Sequence, residues 1–241
     1  MKILVTGGNG KLGKELVNAF GSDSLHPSSQ ELDIRNQKHV DNFVKKETPD
    51  IIVHTAAITD VSFCEENRKE AYETNVGGTA NLINACKHFA SHCYFVLIST
   101  ACVFHGDAGN YVETDLPYPT NYYGLTKLLA EFVVQDSGLN NLIVRTNFVA
   151  HERWKYPRAF IDRYGTYLFA SDVAVAVKSL VAQKLFGIVH VCGDTKMSMY
   201  ELAKITTPDI QPMTLADYQG VPLTVNMCLA SIRVSPFKIS K

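Results

Sequence analysis

The chain has 241 residues, 46% of them apolar, with 23 basic and 24 acidic side chains and a formal net charge of −1. That is too apolar for a disordered chain and long enough for one domain, or one domain with a small second lobe. The even charge balance excludes a nucleic-acid binder that works by neutralising phosphates, and apolar stretches such as 94–98 fall far short of the roughly 20 residues that span a bilayer.

Met1 leads directly into the apolar run Ile3-Leu4-Val5, without the basic and long apolar segments of a secretory leader, so a cytoplasmic location is expected. Lys2–Thr6 reads as a buried strand. Lys11–Phe20 reads as a helix, with Leu12, Leu16, Val17 and Phe20 on one face. Ser24–His26 is a short second strand, Asn36–Glu47 a helix stopped before Pro49, and Asp50–Thr55 a third strand. Glu70–Ala90 has the spacing of a long helix. Strands at Cys93–Thr100 and Asn141–Thr146 flank a helix at Tyr122–Asp136. A helix at Asp172–Gln183, a strand at Ile188–Cys192 and a short helix at Tyr200–Ile205 follow, while Thr206–Val225 reads as loop.

Strand and helix in alternation imply a doubly wound, Rossmann-like α/β fold: a parallel sheet covered on both faces by helices. The expected division is a dinucleotide-binding domain over residues 1–150 and a small, shortened substrate lobe over 151–241, with its late strands and helices returning to the sheet. The cysteines Cys64, Cys86, Cys93, Cys102, Cys192 and Cys228 form no C-x-x-C pair and sit within apolar runs. They are expected to be small buried hydrophobes in a reducing compartment, with no metal.

Between the first strand and helix lies Thr6-Gly7-Gly8-Asn9-Gly10-Lys11-Leu12-Gly13. Glycines there allow a sharp turn, close approach of the backbone to a pyrophosphate and packing of helix on strand. The helix N-terminus adds free amides and partial positive charge. Gly7, Asn9, Gly10, Lys11, Leu12 and Gly13 are therefore the candidate phosphate-binding residues. The second strand runs into His26-Pro27-Ser28-Ser29 with no acid at its tip. With Lys11 in the loop, this favours NADP(H), leaving NAD(H) as the alternative. Asp33 is either a contact on the adenine side or a strand-end cap, and Ile34 follows it.

Tyr123 and Lys127 are four residues apart and share one face of the expected helix. An ammonium nearby, together with an oxidised nicotinamide ring, would favour phenolate and lower the phenol pKa, making Tyr123 an acid–base group that exchanges a proton with a carbonyl or alcohol oxygen as hydride moves. Ser99 and Thr100 end the preceding strand, where a hydroxyl would hold that oxygen.

The order of glycine loop, strand-end Ser-Thr, then Tyr and Lys on the next helix resembles the extended short-chain dehydrogenase/reductase superfamily. His54-Thr55-Ala56-Ala57, Asn75-Val76-Gly77-Gly78-Thr79-Ala80-Asn81-Leu82 and Arg145-Thr146-Asn147 agree with it. Within that superfamily the chain is similar to the dTDP-4-dehydrorhamnose reductase group. The matching segments are Glu31-Leu32-Asp33-Ile34, Ile98-Ser99-Thr100-x-x-Val103-Phe104, Glu113-Thr114-Asp115, Pro119-x-x-x-Tyr123-Gly124-x-Thr126-Lys127 and Ala130-Glu131. The resemblance implies Thr100, Tyr123 and Lys127 as catalytic residues and adds Ala56, Ala57, Asn75 and Ser99 to the cofactor contacts. It also implies NADPH or NADH as hydride donor and a 4-keto-6-deoxy nucleotide sugar as substrate.

The group's motif reads Ser-Thr-Asp-Tyr-Val-Phe, and here Ala101 and Cys102 occupy its middle positions. Two hydrogen-bonding side chains toward the substrate are thereby lost, and an altered sugar preference is expected. Ala101, Cys102, Asn147, Arg153 and Trp154 are the candidate substrate residues. The stretch Arg153-Trp154-Lys155-Tyr156-Pro157-Arg158 is either a clamp for a nucleotide diphosphate or an exposed loop. Two other functions stay open: a cofactor-binding regulatory subunit, and an epimerase or dehydratase, which would want an acid beside Thr100. A homodimer is the default assembly.

Overall fold

The structure, a computed structural model, describes residues 1–240. The chain begins with β1 (Ile3–Thr6), α1 (Lys11–Phe20), β2 (Ser24–Leu25), α2 (Gln37–Glu47) and β3 (Ile51–His54). Helices α3 (Val61–Glu66), α4 (Arg68–Tyr72) and α5 (Gly78–Phe89) lead to β4 (Tyr94–Thr100), α6 (Tyr122–Gln135) and β5 (Asn141–Thr146). Short strands β6 (Phe148–Val149), β7 (Arg158–Phe160), β8 (Tyr164–Gly165) and β9 (Leu168–Phe169) precede α7 (Ala170–Ala182) and β10 (Gly187–Val191). The last elements are β11 (Met197–Ser198), α8 (Met199–Thr206), β12 (Gln211–Met213) and β13 (Asn226–Met227).

Six strands form one sheet in the order β10-β5-β4-β3-β1-β2, every pair parallel. Residues of a strand alternate between faces, and here both faces are apolar. Ile3, Val5, Ile51, Val53, Val96, Ile98, Leu142 and Val144 pack on one side against α1 and α7. Leu4, Ile52, Phe95, Leu97 and Ile143 pack on the other against α2, α5 and α6. Each such side chain contributes roughly 1.5–3 kcal/mol by leaving water, so a one-residue slip in register would mismatch two cores at once.

After β2 the chain returns across β1 to place β3 on its other side. The strand order reverses at that point, and a crevice opens beyond the carboxyl ends of β1 and β3, where open α/β sheets bind ligands. Residues after β5 roof this crevice through small sheets: β8 with β11 and β13, β7 with β12, and β6 with β9. α7 and β10 return to the main sheet, β10 pairing with β5.

The expected long helix over 70–90 is instead divided. A π-helical turn at Glu73–Gly77 separates α4 from α5. That widened turn carries Asn75, whose amide is drawn to the loop after β3: Oδ1 accepts from the Ile58 amide at 2.8 Å, and Nδ2 donates to the Ile58 carbonyl at 2.9 Å. α3, and β12 within the expected 206–225 loop, escaped the sequence reading because they are too short to show a period. All six cysteines are buried and unpaired.

Candidate active site

Gly7 has a φ of +72°, a conformation that favours glycine, and a Cβ there would lie 2.7 Å from the Ala56 amide nitrogen. A Cβ on Gly13 would fall on the Gly7 carbonyl oxygen. The turn is closed by the Gly10 amide donating to the Gly7 carbonyl at 2.8 Å. No side chain caps α1, so its first-turn amides keep their capacity to bind an anion. This narrow cradle fits a dinucleotide pyrophosphate.

The cradle forms one end of a cleft of about 560 Å³, within the usual range for ligand sites. Gly7, Gly10, Lys11, Leu12, Gly13, Ala57, Ser99, Thr100, Cys102, Tyr123, Lys127, Asn147, Arg153 and Trp154 all line it, so most sequence candidates meet around one space. Six do not. Asn9 is on the exposed tip of the turn. Asp33 is engaged by the Arg35 guanidinium at 3.0 and 3.1 Å, which holds its carboxyl below the usual range. Ile34 is buried against Gly78, Ala56 backs Gly7, and Ala101 is buried away from the cleft. Asn75, besides its two bonds to Ile58, donates to Thr126 Oγ1 at 2.9 Å and so ties the β3 loop to α6.

α6 is positioned by its first turn. Asn121 caps it, accepting from the Gly124 amide at 2.9 Å. Any side chain at Gly124 would strike the Cys102 carbonyl, so glycine lets α6 approach the end of β4 and brings Tyr123 beside Thr100. The Thr100 hydroxyl accepts from the Cys102 amide at 3.1 Å. Burial raises the Tyr123 pKa, the Cys102 thiol adds to the rise, and a hydrogen bond with Thr100 offsets part of it. The neighbouring ammonium does not set this direction; desolvation of the phenolate is the largest cause. Lys127 is lowered to about 8 by burial, with Glu131 opposing the drop. Beneath it His54, lowered to about 3 by burial and by the charge of Lys127, stays neutral between Thr6 Oγ1 at 2.6 Å and Thr79 Oγ1 at 3.1 Å.

One turn past Lys127, Glu131 is fully buried and pairs with Arg145, 2.7 Å from Oε2 to Nη2 and 3.0 Å from Oε1 to Nε. Ser99 donates its hydroxyl to the same carboxylate. The Ser99 side chain is thus spent on this pair, and Thr100 supplies the strand-end hydroxyl beside Tyr123.

On the lobe side, Lys11 reaches across the cleft to Glu152 at 2.5 Å, both side chains more than half exposed. Arg153 is paired with Asp209 at 2.8 Å, and Asn147 donates to the Met227 carbonyl at 2.5 Å. Trp154 is half-buried with its indole nitrogen unpartnered. Arg163 was not singled out from the sequence. Its guanidinium meets only the Thr224 carbonyl and the sulfurs of Met199 and Met227, and it forms no ion pair among the described residues. A second cavity of about 680 Å³ adjoins the first, and Trp154, Lys155, Tyr156 and Arg163 line both. Arg158, Phe160 and Tyr218 complete its wall, the two aromatic rings meeting edge to face at 5.7 Å. No local pattern marks Arg163 as different from Arg153 or Arg158. Only the placement of acids from distant segments does so.

Comparison with known proteins agrees with this geometry. The family model for the RmlD substrate binding domain matches residues 1–221. The chain is 27% identical to a dTDP-4-dehydrorhamnose reductase from Aggregatibacter actinomycetemcomitans, over 95% of this chain and 90% of that protein. It is 30% identical to the spore coat polysaccharide biosynthesis protein SpsK of Bacillus subtilis, over 84% of this chain and 77% of that one. Among solved structures, a dTDP-4-dehydrorhamnose reductase from Bacillus anthracis in complex with NADP superposes with a TM-score of 0.87 at 27% identity, covering 95% of this chain and 91% of that one. With the glycine cradle, the Thr100–Tyr123–Lys127 cluster and a match spanning most of its length, this chain belongs to the RmlD substrate binding domain family.

Proposed function

We propose that the protein is an NAD(P)H-dependent reductase of the C4 carbonyl of a 4-keto-6-deoxy nucleotide sugar, with NADP(H) the favoured cofactor and NAD(H) the alternative. The observation that carries this is the convergence of Thr100, Tyr123 and Lys127 on one cleft that ends in the glycine cradle. The relatives named dTDP-4-dehydrorhamnose reductase, one with NADP bound, support both the substrate class and the cofactor.

The cradle of Gly7, Gly10 and Gly13 and the amides of α1 hold the dinucleotide, which supplies the hydride when bound. The Thr100 hydroxyl hydrogen-bonds the substrate carbonyl oxygen and keeps its own proton. Tyr123 passes its phenolic proton to the same oxygen as charge gathers there. A raised phenol pKa suits this direction, because the group that must donate stays protonated at neutral pH. Lys127, as the cation beside it, stabilises the phenolate left behind. Arg163 and Lys155 face the diphosphate, and Phe160 and Tyr218 face the base in the adjoining cavity. The epimerase reading wants an acid beside Thr100, and Ala101 and Cys102 provide none.

The test is to mix purified protein with NADPH and a panel of 4-keto-6-deoxy nucleotide sugars and follow loss of reduced-nicotinamide absorbance. No turnover of any sugar would overturn the reading. A pH profile adds a sharper expectation. Lys127 is charged below a pKa of about 8, so kcat/KM falls as pH rises through about 8. Lys127→Arg, which does not titrate in this range, lacks that basic limb. A profile flat from pH 7 to 9 would contradict the assignment.

A homodimer and a cytoplasmic location are proposed with the function. No helix among the described residues is long and apolar enough to cross a membrane. On α6, Leu125 and Phe132 are exposed seven residues apart, hence on one face, an apolar strip suited to a second copy. Sedimentation velocity is expected to show a dimer that Phe132→Lys weakens.

A further inference from the structure

Among the described residues, five buried side-chain polar atoms have no hydrogen-bond partner: those of Arg145, Thr146, Trp154, Tyr167 and His190. Three of the five residues, Thr146, Trp154 and Tyr167, line the same cleft. A buried polar group without a partner is costly, and natural folds carry few of them. Their concentration at one site points to a ligand that completes them.

Tyr167 is the most constrained of the three. It is 3% exposed, and its ring lies against Gly165, where a Cβ would come within 2.6 Å of Cζ. Gly165 pairs in register with Met227 of β13. Met227 also lines the cleft, and its sulfur is 3.7 Å from Cys102 Sγ. The phenol therefore stands in a wall of soft, weakly hydrogen-bonding groups, Cys102, Met199 and Met227, beside the catalytic end of the cleft. Arg163 is the nearby cation, and burial keeps the phenol neutral and able to donate.

We propose that Tyr167 is a specificity-determining residue whose hydroxyl hydrogen-bonds an oxygen of the sugar ring, on the wall where Cys102 offers no comparable group. The class of ligand rests on the reductase reading; the orphaned phenol and the glycine that seats it do not. A hydroxyl that bonds the sugar contributes to binding the sugar and leaves the nucleotide and the dinucleotide untouched.

The experiment uses titration calorimetry on the protein saturated with NADPH, where dTDP-L-rhamnose binds without reacting, with dTDP as the sugar-free control. Wild-type protein is expected to bind dTDP-L-rhamnose more tightly than dTDP. Tyr167→Phe keeps the ring and removes only the hydroxyl; it is expected to weaken dTDP-L-rhamnose about tenfold, the worth of one neutral hydrogen bond. Its affinities for dTDP and NADPH should stay within twofold of wild type. The proposal is overturned if wild type does not distinguish the two ligands, if the variant binds both as wild type does, or if both weaken equally. Discrimination that depends on Tyr167 without turnover of any 4-keto sugar would sink the reductase reading alone.

Discussion

Tyr123→Phe is expected to lower kcat for reduction of a 4-keto nucleotide sugar by about 10²–10⁴-fold, the usual worth of a positioned general acid. The ring would still fill its place between α6 and the end of β4, because Tyr123 is largely buried and the change removes one oxygen. NADPH affinity is expected to hold within about threefold, since the glycine cradle is built by β1 and α1 at the other end of the cleft. Stopped-flow hydride transfer and fluorescence titration of NADPH separate the two effects. A variant that retains wild-type kcat would remove Tyr123 from the reaction.

Glu131→Ala is expected to cost about 3–5 kcal/mol of stability, the usual penalty for stripping one partner from a buried ion pair. Arg145 is 2% exposed, its Nη1 has no partner, and its guanidinium lies 5.1 Å from the centre of the Phe104 ring. Without Glu131 the buried guanidinium loses the acid it pairs with. For a chain of this size the melting midpoint should fall by about 6–20 °C. The double change Glu131→Leu with Arg145→Met removes both charges and is expected to recover most of the loss. Thermal melts of the three proteins decide it. If the double variant were as unstable as Glu131→Ala, the pair would matter through packing rather than charge.

Much of this architecture was legible in the sequence. Strands buried on both faces must be apolar at successive positions, so Ile3-Leu4-Val5 and Ile51-Ile52-Val53 announce inner parallel strands without any knowledge of their partners. The glycine loop was legible because its constraints are local: each glycine is required by a contact with residues at most a few positions away, or with the next strand of the crevice. Tyr123 and Lys127 were legible as a pair because helical geometry alone puts them on one face.

What the tertiary structure decided lies in pairings between distant segments. Arg153 and Arg163 are alike in sequence, but Asp209 pairs with the first and, among the described residues, no acid pairs with the second, which makes Arg163 the available cation. Asn75, read as a cofactor contact, spends its amide on Ile58 and Thr126 because a π-helical turn aims it there. The Tyr123 pKa rises because burial of the phenol is its largest cause, which the spacing to Lys127 does not reveal. Tyr167 carried no motif at all; it becomes informative only when its hydroxyl is found buried and unpartnered on a residue that lines the cleft. Periodicity and short motifs report forces that act within a turn or a strand. Charge compensation, desolvation and hydrogen-bond satisfaction depend on which remote segments the fold brings together, and for this protein they determine how the site is wired.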